Sequence, residues 1–144
     1  MARTLVLEIV TPDRLVLQQT VDSVTATGLA GEFTALPLHV PFLAALTVGS
    51  LSYRQAGRQA YVFVAGGFAD VTADKVLILA EAAELPEEID LDRARKARER
   101  AEARLAAQRQ EAVDYTRAKA ALQRAITRVK LYEVASGVGR SPTR

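Results

Sequence analysis

The chain reads as an α+β protein: an N-terminal antiparallel β-sandwich or barrel, followed by a C-terminal antiparallel two-helix hairpin. Three observations predict this. Of eight Gly and five Pro, all but Gly137, Gly139 and Pro142 lie at or before Pro86, and residues 87–136 contain neither. Both residue types punctuate turns and spoil helix interiors, so a turn-rich first part gives way to an uninterrupted helical part. Short runs of β-rich, partly alternating residues fill the first part. The charge divides at the same place, with five basic and ten acidic side chains through residue 88 and fourteen and seven beyond it, so the overall +2 hides an acidic body carrying a basic arm. The boundaries expected are 1–86 for the sandwich, 87–135 for the hairpin and 136–144 for a disordered tail without periodicity.

Composition excludes several chemistries. At 144 residues and 49% apolar content, one domain with an appendage is the expectation. Cysteine is absent and histidine occurs once, which removes disulfides, a thiolate nucleophile and a zinc site of His/Cys type, so no metal is expected. Met1-Ala2-Arg3-Thr4 leads directly into an alternating stretch, and no segment approaches the roughly 20 apolar residues of a membrane span. A soluble, cytosolic chain without membrane insertion is expected.

In the first module, Leu5, Leu7 and Ile9 share one face of a strand over residues 4–10. Further strands are expected over 15–19, 21–27, 51–55, 60–64, 68–72 and 75–80. They are separated by Pro12-Asp13, residues 28–31, Gly57-Arg58, Gly66-Gly67 and Ala73-Asp74. Short strands with tight connections point to a small antiparallel sandwich or barrel, not to βαβ units. The stretch from Gly31 to Pro41 places His39 between Pro37 and Pro41, stiff enough that a continued sheet ladder is not expected there. His39 has no Ser or Cys partner at a persuasive position and reads as a structural or interface histidine. Gly66-Gly67 is expected to join two strands through positive φ or close backbone approach. Neither segment is a phosphate loop, since no Gly-x-x-x-x-Gly-Lys-Ser/Thr follows.

In the second module, Pro86 ends the strand region within Leu85-Pro86-Glu87-Glu88-Ile89-Asp90. Asp90 is a candidate N-cap for a helix over 91–110, and Asp114 for a second over 115–135, with a turn at 111–114. Ala118, Leu122, Ala125, Val129 and Tyr132 recur at spacings of 4, 3, 4 and 3, the seam of a coiled-coil-like contact, and Ala94, Ala97, Ala101 and Leu105 form the facing stripe. Each Ala in place of Leu forgoes roughly 2 kcal/mol of burial at about 0.8 kcal/mol per methylene, so the hairpin should be weakly held. Its residues are strong helix formers, and each helix stays viable when the contact opens. Arg93 and Arg100 share a face of the first helix, and Arg124 and Arg128 share one of the second. They either converge on a polyphosphate, for which guanidinium forks are suited, or pair with Glu99, Glu102 and Asp90 on a wet surface.

Three motifs occur in order: Gly-Glu-Phe leading to Leu36-Pro37-Leu38-His39-Val40-Pro41, the Gly66-Gly67-Phe68 turn, and the Leu-Pro-Glu-Glu-Ile-Asp junction. Together they resemble the epsilon subunit of bacterial F-type rotary ATP synthase, over residues 5 to about 134. The resemblance implies a non-catalytic rotor subunit that couples proton flow to ATP synthesis. Its sandwich would bind the gamma subunit and the ring of c subunits, at the cytoplasmic face of the plasma membrane. Ile89-Asp90-Leu91-Asp92-Arg93-Ala94 is similar to the family's Ile/Leu-Asp-x-x-Arg-Ala nucleotide motif, and Arg124-Ala-Ile-Thr-Arg128 looks like its second-helix partner. By that resemblance Asp90, Arg93, Arg124 and Arg128 contact ATP, with Glu84 and Arg100 as further contributors. ATP is then a regulatory ligand, with no cofactor and no hydrolysis, and the hairpin is a brake whose arginines meet acidic loops of the beta subunits when ATP falls. Two other classes compete. A nucleic-acid-binding module would use the basic hairpin, but only Tyr115 and Tyr132 are aromatic there and acids interrupt the basic residues. A small β-sandwich enzyme would need a nucleophile, base and orienting group that the sequence does not supply.

Overall fold

The computed structural model describes residues 3–107 and 112–137. The chain divides after Pro86 into two compact units. The first carries eight strands: β1 (Leu5–Val10), β2 (Leu15–Val21), β3 (Ser23–Gly28), β4 (Gly31–Ala35), β5 (Phe42–Gln55), β6 (Arg58–Val71), β7 (Lys75–Ala80) and β8 (Ala83–Glu84). Their hydrogen-bonded order is β2-β1-β7-β6-β5-β3-β4, with β8 continuing beside β6. Alternation sets the faces. In β1, Leu5, Leu7 and Ile9 are buried while Val6, Glu8 and Val10 are half-covered, and Val76, Ile78 and Ala80 do the same in β7. Together with Val21, Val24, Leu51, Val62, Val64 and Val71 they form one apolar core, the interior of the expected sandwich.

Four features of this unit depart from expectation. β5 and β6 are 14 residues each, and the turn between them is Ala56-Gly57, both at positive φ (50° and 78°), the geometry of a two-residue hairpin that follows the strand twist. Gly66-Gly67 does not separate two strands; β6 runs through it. Gly66 and Gly67 take φ of 85° and 121°, and this bends the strand while its pairing with β5 continues from Val48↔Ala65 to Leu46↔Gly67. A Cβ on Gly67 would overlap the Leu79 carbonyl oxygen and lie 2.8 Å from the Ala80 Cα, so close approach of β7 requires glycine. The stretch beginning at Gly31 does continue the ladder, as edge strand β4 paired with β3 from Gly28↔Gly31 to Val24↔Ala35. The prolines act only beyond Ala35, where Leu38 turns at φ 68° and donates its N–H to the Ala73 carbonyl at 2.7 Å. Finally, β1 and β7 pair in parallel, from Val6↔Lys75 to Val10↔Leu79, in an otherwise antiparallel sheet. Five strands lie between them in sequence, long enough for the return that parallel pairing needs.

The second unit opens with a 3-10 turn, Pro86–Glu88, followed by α1 (Leu91–Ala107) and α2 (Ala112–Ser136). Asp90 caps α1: its Oδ1 accepts the Arg93 N–H at 3.0 Å and its carbonyl accepts the Ala94 N–H at 2.9 Å. The second helix starts at Ala112, earlier than expected, so Asp114 lies inside it and is not its cap; neither Ala112 nor Val113 opposes helix. It also includes Ser136, whose Oγ donates to the Tyr132 carbonyl at 2.7 Å, and Gly137 follows at φ 77° in the left-handed conformation that ends helices. The expected turn at Glu111 and the tail beyond Gly137 lie outside the described residues.

Candidate functional site

The helix pair is built on small side chains. Ala94, Ala101, Ala118, Ala125 and Val129 are buried, while Ala97, Leu105, Leu122 and Tyr132 are half-buried, so the seam is the one expected. Leu131, off that stripe, is buried as well. Across the hairpin, the Arg95 Nη2 reaches the Glu133 Oε1 at 3.9 Å. Each of these two residues follows a seam position, Ala94 or Tyr132, by one. Antiparallel helices related by a dyad place equal offsets on the same flank, which is why the two meet.

The same rule locates the candidate arginines. Arg93, Arg100, Arg124 and Arg128 each precede a seam residue by one (Ala94, Ala101, Ala125 and Val129), so all four line the opposite flank. Arg93 and Arg100 are exposed, and Arg124 and Arg128 are half-buried. Of the two alternatives, surface pairing is not seen for three of the four: among the described residues no carboxylate lies within 4.0 Å of Arg93, Arg100 or Arg124. On α1 no acid stands three or four residues from Arg100, and Asp90, three before Arg93, is the one acid at that spacing from Arg93. Asp90, at the start of α1, already spends one carboxylate oxygen on its cap. Glu84 sits on β8, half-buried, paired in register with Phe63. It belongs to the first unit, whereas the other five candidates belong to the second.

Sequence reasoning passed over three more cations. Arg104 and Arg117 precede Leu105 and Ala118 and fall on the same flank, and Lys96, before Ala97, lies at its outer edge beside Asp92 and Glu99, a signal present in the same one-residue offset. It also passed over apolar surface on the first unit. Phe68 is 55% exposed and Leu79 50%; they face each other across β6 and β7, and Leu79 is in register with Val10 on β1. With Pro12 and Glu81 they border a cleft of about 390 Å³. Leu36, Leu38, Val40 and Leu43 are exposed on the proline-bounded loop and the start of β5, where Phe42 packs edge-on against Phe33 at 5.2 Å. The unbroken apolar run Val76-Leu77-Ile78-Leu79-Ala80 was the sign that β7 carries apolar residues on both faces. The His39 Nδ1 donates to its neighbour's Val40 carbonyl at 2.6 Å, a local bond with no nucleophile in it. Among the described residues no group of three His, Cys, Asp or Glu is placed to hold a metal, and no helix is long and apolar enough to cross a membrane.

Residues 4–86 match the beta-sandwich domain of the ATP synthase delta/epsilon chain, and residues 87–133 match its long alpha-helix domain. The chain is 59% identical over 106 residues to the ATP synthase epsilon chain of Nitratidesulfovibrio vulgaris, covering 74% of this chain and 79% of that one. It is 52% identical over 133 residues to that of Syntrophobacter fumaroxidans, covering 92% and 98%. Among solved structures it is similar to a chain of the Euglena gracilis mitochondrial ATP synthase OSCP/F1/c-ring assembly, with TM-score 0.76 and 26% identity over 92% of this chain and 81% of that one. A chain of the Tetrahymena thermophila central stalk and c-ring shares the fold, with TM-score 0.62 at 16% identity over 89% and 96%.

Proposed function

The chain belongs to the delta/epsilon chain family of ATP synthase, the epsilon subunit of the F-type central stalk, and from this premise we propose that it is a non-catalytic rotor subunit with an ATP-sensing hairpin. The sandwich docks on the gamma subunit and the c ring through the apolar surface around Phe68, Leu79 and Leu43. Large exposed apolar side chains gathered on one unit are the usual mark of such a contact. The subunit is then peripheral, on the cytoplasmic side of the membrane that holds the ring. ATP binds the hairpin, with Arg124, Arg128 and Arg93 on its phosphates, Asp90 beside them, and Arg100 contributing at the margin. The observation that carries this reading is the arginine flank beside an alanine seam.

Arg93 and Arg124, with no carboxylate within 4.0 Å among the described residues, are available to bidentate phosphate contacts. ATP at a hundredfold excess over Kd stabilises the closed hairpin by about 2.7 kcal/mol. When ATP falls, the helices separate, extend into the catalytic ring and hinder rotation, with the freed arginines against acidic loops of the beta subunits. The flank carries no aromatic residue for base stacking, which favours a nucleotide's phosphates over nucleic acid as its ligand. Equilibrium dialysis of ATP against the chain with Arg124→Ala and Arg128→Ala tests the site: a loss of tenfold or more, about 1.4 kcal/mol, is expected, and unchanged binding rejects these residues. Removing residues 89–144 from the assembled enzyme is expected to raise ATP hydrolysis, and unaltered hydrolysis rejects the brake.

A further inference from the structure

We propose that the basic flank of the hairpin binds linear inorganic polyphosphate longer than a triphosphate, an inference that rests on reading this flank as an anion site. On α1 the flank carries Arg93, Lys96, Arg100 and Arg104, at spacings of 3, 4 and 4; on α2 it carries Arg117, Arg124 and Arg128. No acidic residue takes the same offset on either helix. Arg93 to Arg104 and Arg117 to Arg128 each span eleven residues, roughly 16 Å of helix axis. A triphosphate joins three phosphorus atoms through two bridging oxygens and covers about one helical turn, ~5.4 Å. One ATP therefore engages a part of the flank and leaves cations beyond its reach.

Lys96 has Asp92 and Glu99 as helix neighbours, four before and three after it, whereas on α1 no acid stands three or four residues from Arg104 among the described residues. Among the described residues no carboxylate lies within 4.0 Å of Lys96, Arg104 or Arg117, which are exposed. Like charges three and four residues apart on a helix repel one another, a cost that a ligand of matching length relieves. A phosphate chain fits because it carries a charge on every unit and no base. Single-stranded nucleic acid would bring bases to a flank without aromatics, and an acidic protein segment presents its carboxylates more sparsely along its length.

Binding of the full chain to tripolyphosphate, polyphosphate of about 20 units, an oligothymidylate and polyglutamate is measured across a salt series. After correction for overlapping positions, the long polyphosphate is expected to bind at least about tenfold more tightly than tripolyphosphate, and more tightly than the other two polymers. Arg104→Ala with Arg117→Ala is expected to abolish that advantage, to lower the salt slope by about two and to leave tripolyphosphate and ATP affinity unchanged. Far-UV circular dichroism establishes that the variant keeps its helices. Equal affinity for short and long chains overturns the proposal, as does a double variant with unaltered affinity and slope, or tighter binding of either other polymer. Polyphosphate binding without ATP binding supports it and rejects the nucleotide reading alone.

Discussion

Replacing Asp90 separates its two roles, helix cap and proposed nucleotide neighbour. Its Oδ1 accepts the Arg93 N–H at 3.0 Å, and its own carbonyl accepts the Ala94 N–H at 2.9 Å. Asp90→Ala keeps the second bond and deletes the first, at about 1 kcal/mol. The carboxylate also lies at the positive end of the α1 dipole, worth a further ~0.5 kcal/mol at an exposed site. Asp90→Ala should therefore cost about 1.5 kcal/mol, whereas Asp90→Asn, which keeps an acceptor and loses only the charge, should cost about 0.5 kcal/mol. In a small unit, 1 kcal/mol corresponds to a shift of about 4–8 °C in the midpoint. Thermal melts of the full chain followed at the helix band, with ATP dialysis on the same samples, read both roles. Equal losses for Ala and Asn refute the capping arithmetic. An Asn variant with full ATP affinity removes the Asp90 charge from the nucleotide site.

Gly67→Ala should destabilise the sandwich by about 3 kcal/mol, since the residue sits at φ 121° with β7 backbone where the methyl would go. Gly31→Ala, at φ 126° with open space around it, isolates the backbone strain at about 1 kcal/mol; equal losses in the two melts would mean that β7 yields. Phe68→Gln should change stability by no more than ~0.5 kcal/mol, because the side chain is more than half exposed, yet weaken assembly with gamma and the c ring tenfold or more. A titration that finds full affinity rejects this docking surface. Ala97→Leu adds three carbons at a half-buried seam position and should tighten the closed hairpin by about 1 kcal/mol. It should also raise ATP hydrolysis by the assembled enzyme at low ATP, and lower hydrolysis would reverse the proposed direction of the brake.

The fold was legible where a local rule had no competitor. Alternation placed Leu5, Leu7 and Ile9 inward, and the 3,4 spacing of small residues placed Ala94, Ala101, Ala118 and Ala125 on the seam. It was illegible where tertiary pairing overrode a breaker. Gly66-Gly67 looks like a boundary in one dimension, but hydrogen bonds from β5 on one side and β7 on the other hold the strand together through it. Pro37 and Pro41 concealed β4 in the same way, although proline restrains only itself and the residue before it, and Gly31–Ala35 lie upstream. The parallel β1–β7 pair has no local signature, because it joins residues about 70 positions apart. In the candidate site, spacing within each helix put the arginines in pairs. That both pairs share one flank followed only once burial had fixed the seam and Arg95–Glu133 had fixed the sense of the pairing.

The two units differ in what the proposed nucleotide would alter. The sandwich buries Leu5, Leu7, Ile9, Leu51 and Ile78 almost completely, and each such side chain contributes about 1.5–3 kcal/mol. Ligand binding worth about 2.7 kcal/mol is then no more than one or two of these side chains, and it leaves the sandwich as it was. The fully buried seam positions are four alanines and one valine, and each alanine brings about 0.8 kcal/mol for its one methyl group. The same ligand energy equals the contribution of about three of those alanines, so it is large enough to set the balance between helices packed together and helices apart. A chain with leucine at the four alanine positions would keep its arginines and still bind phosphate. These alanines are almost fully buried, so leucine there would overfill the seam and strain the closed state, and the balance that ATP is proposed to set would be lost. On the proposed reading, small residues at the seam and cations on its flank are therefore two parts of one device, and neither would serve as a sensor without the other.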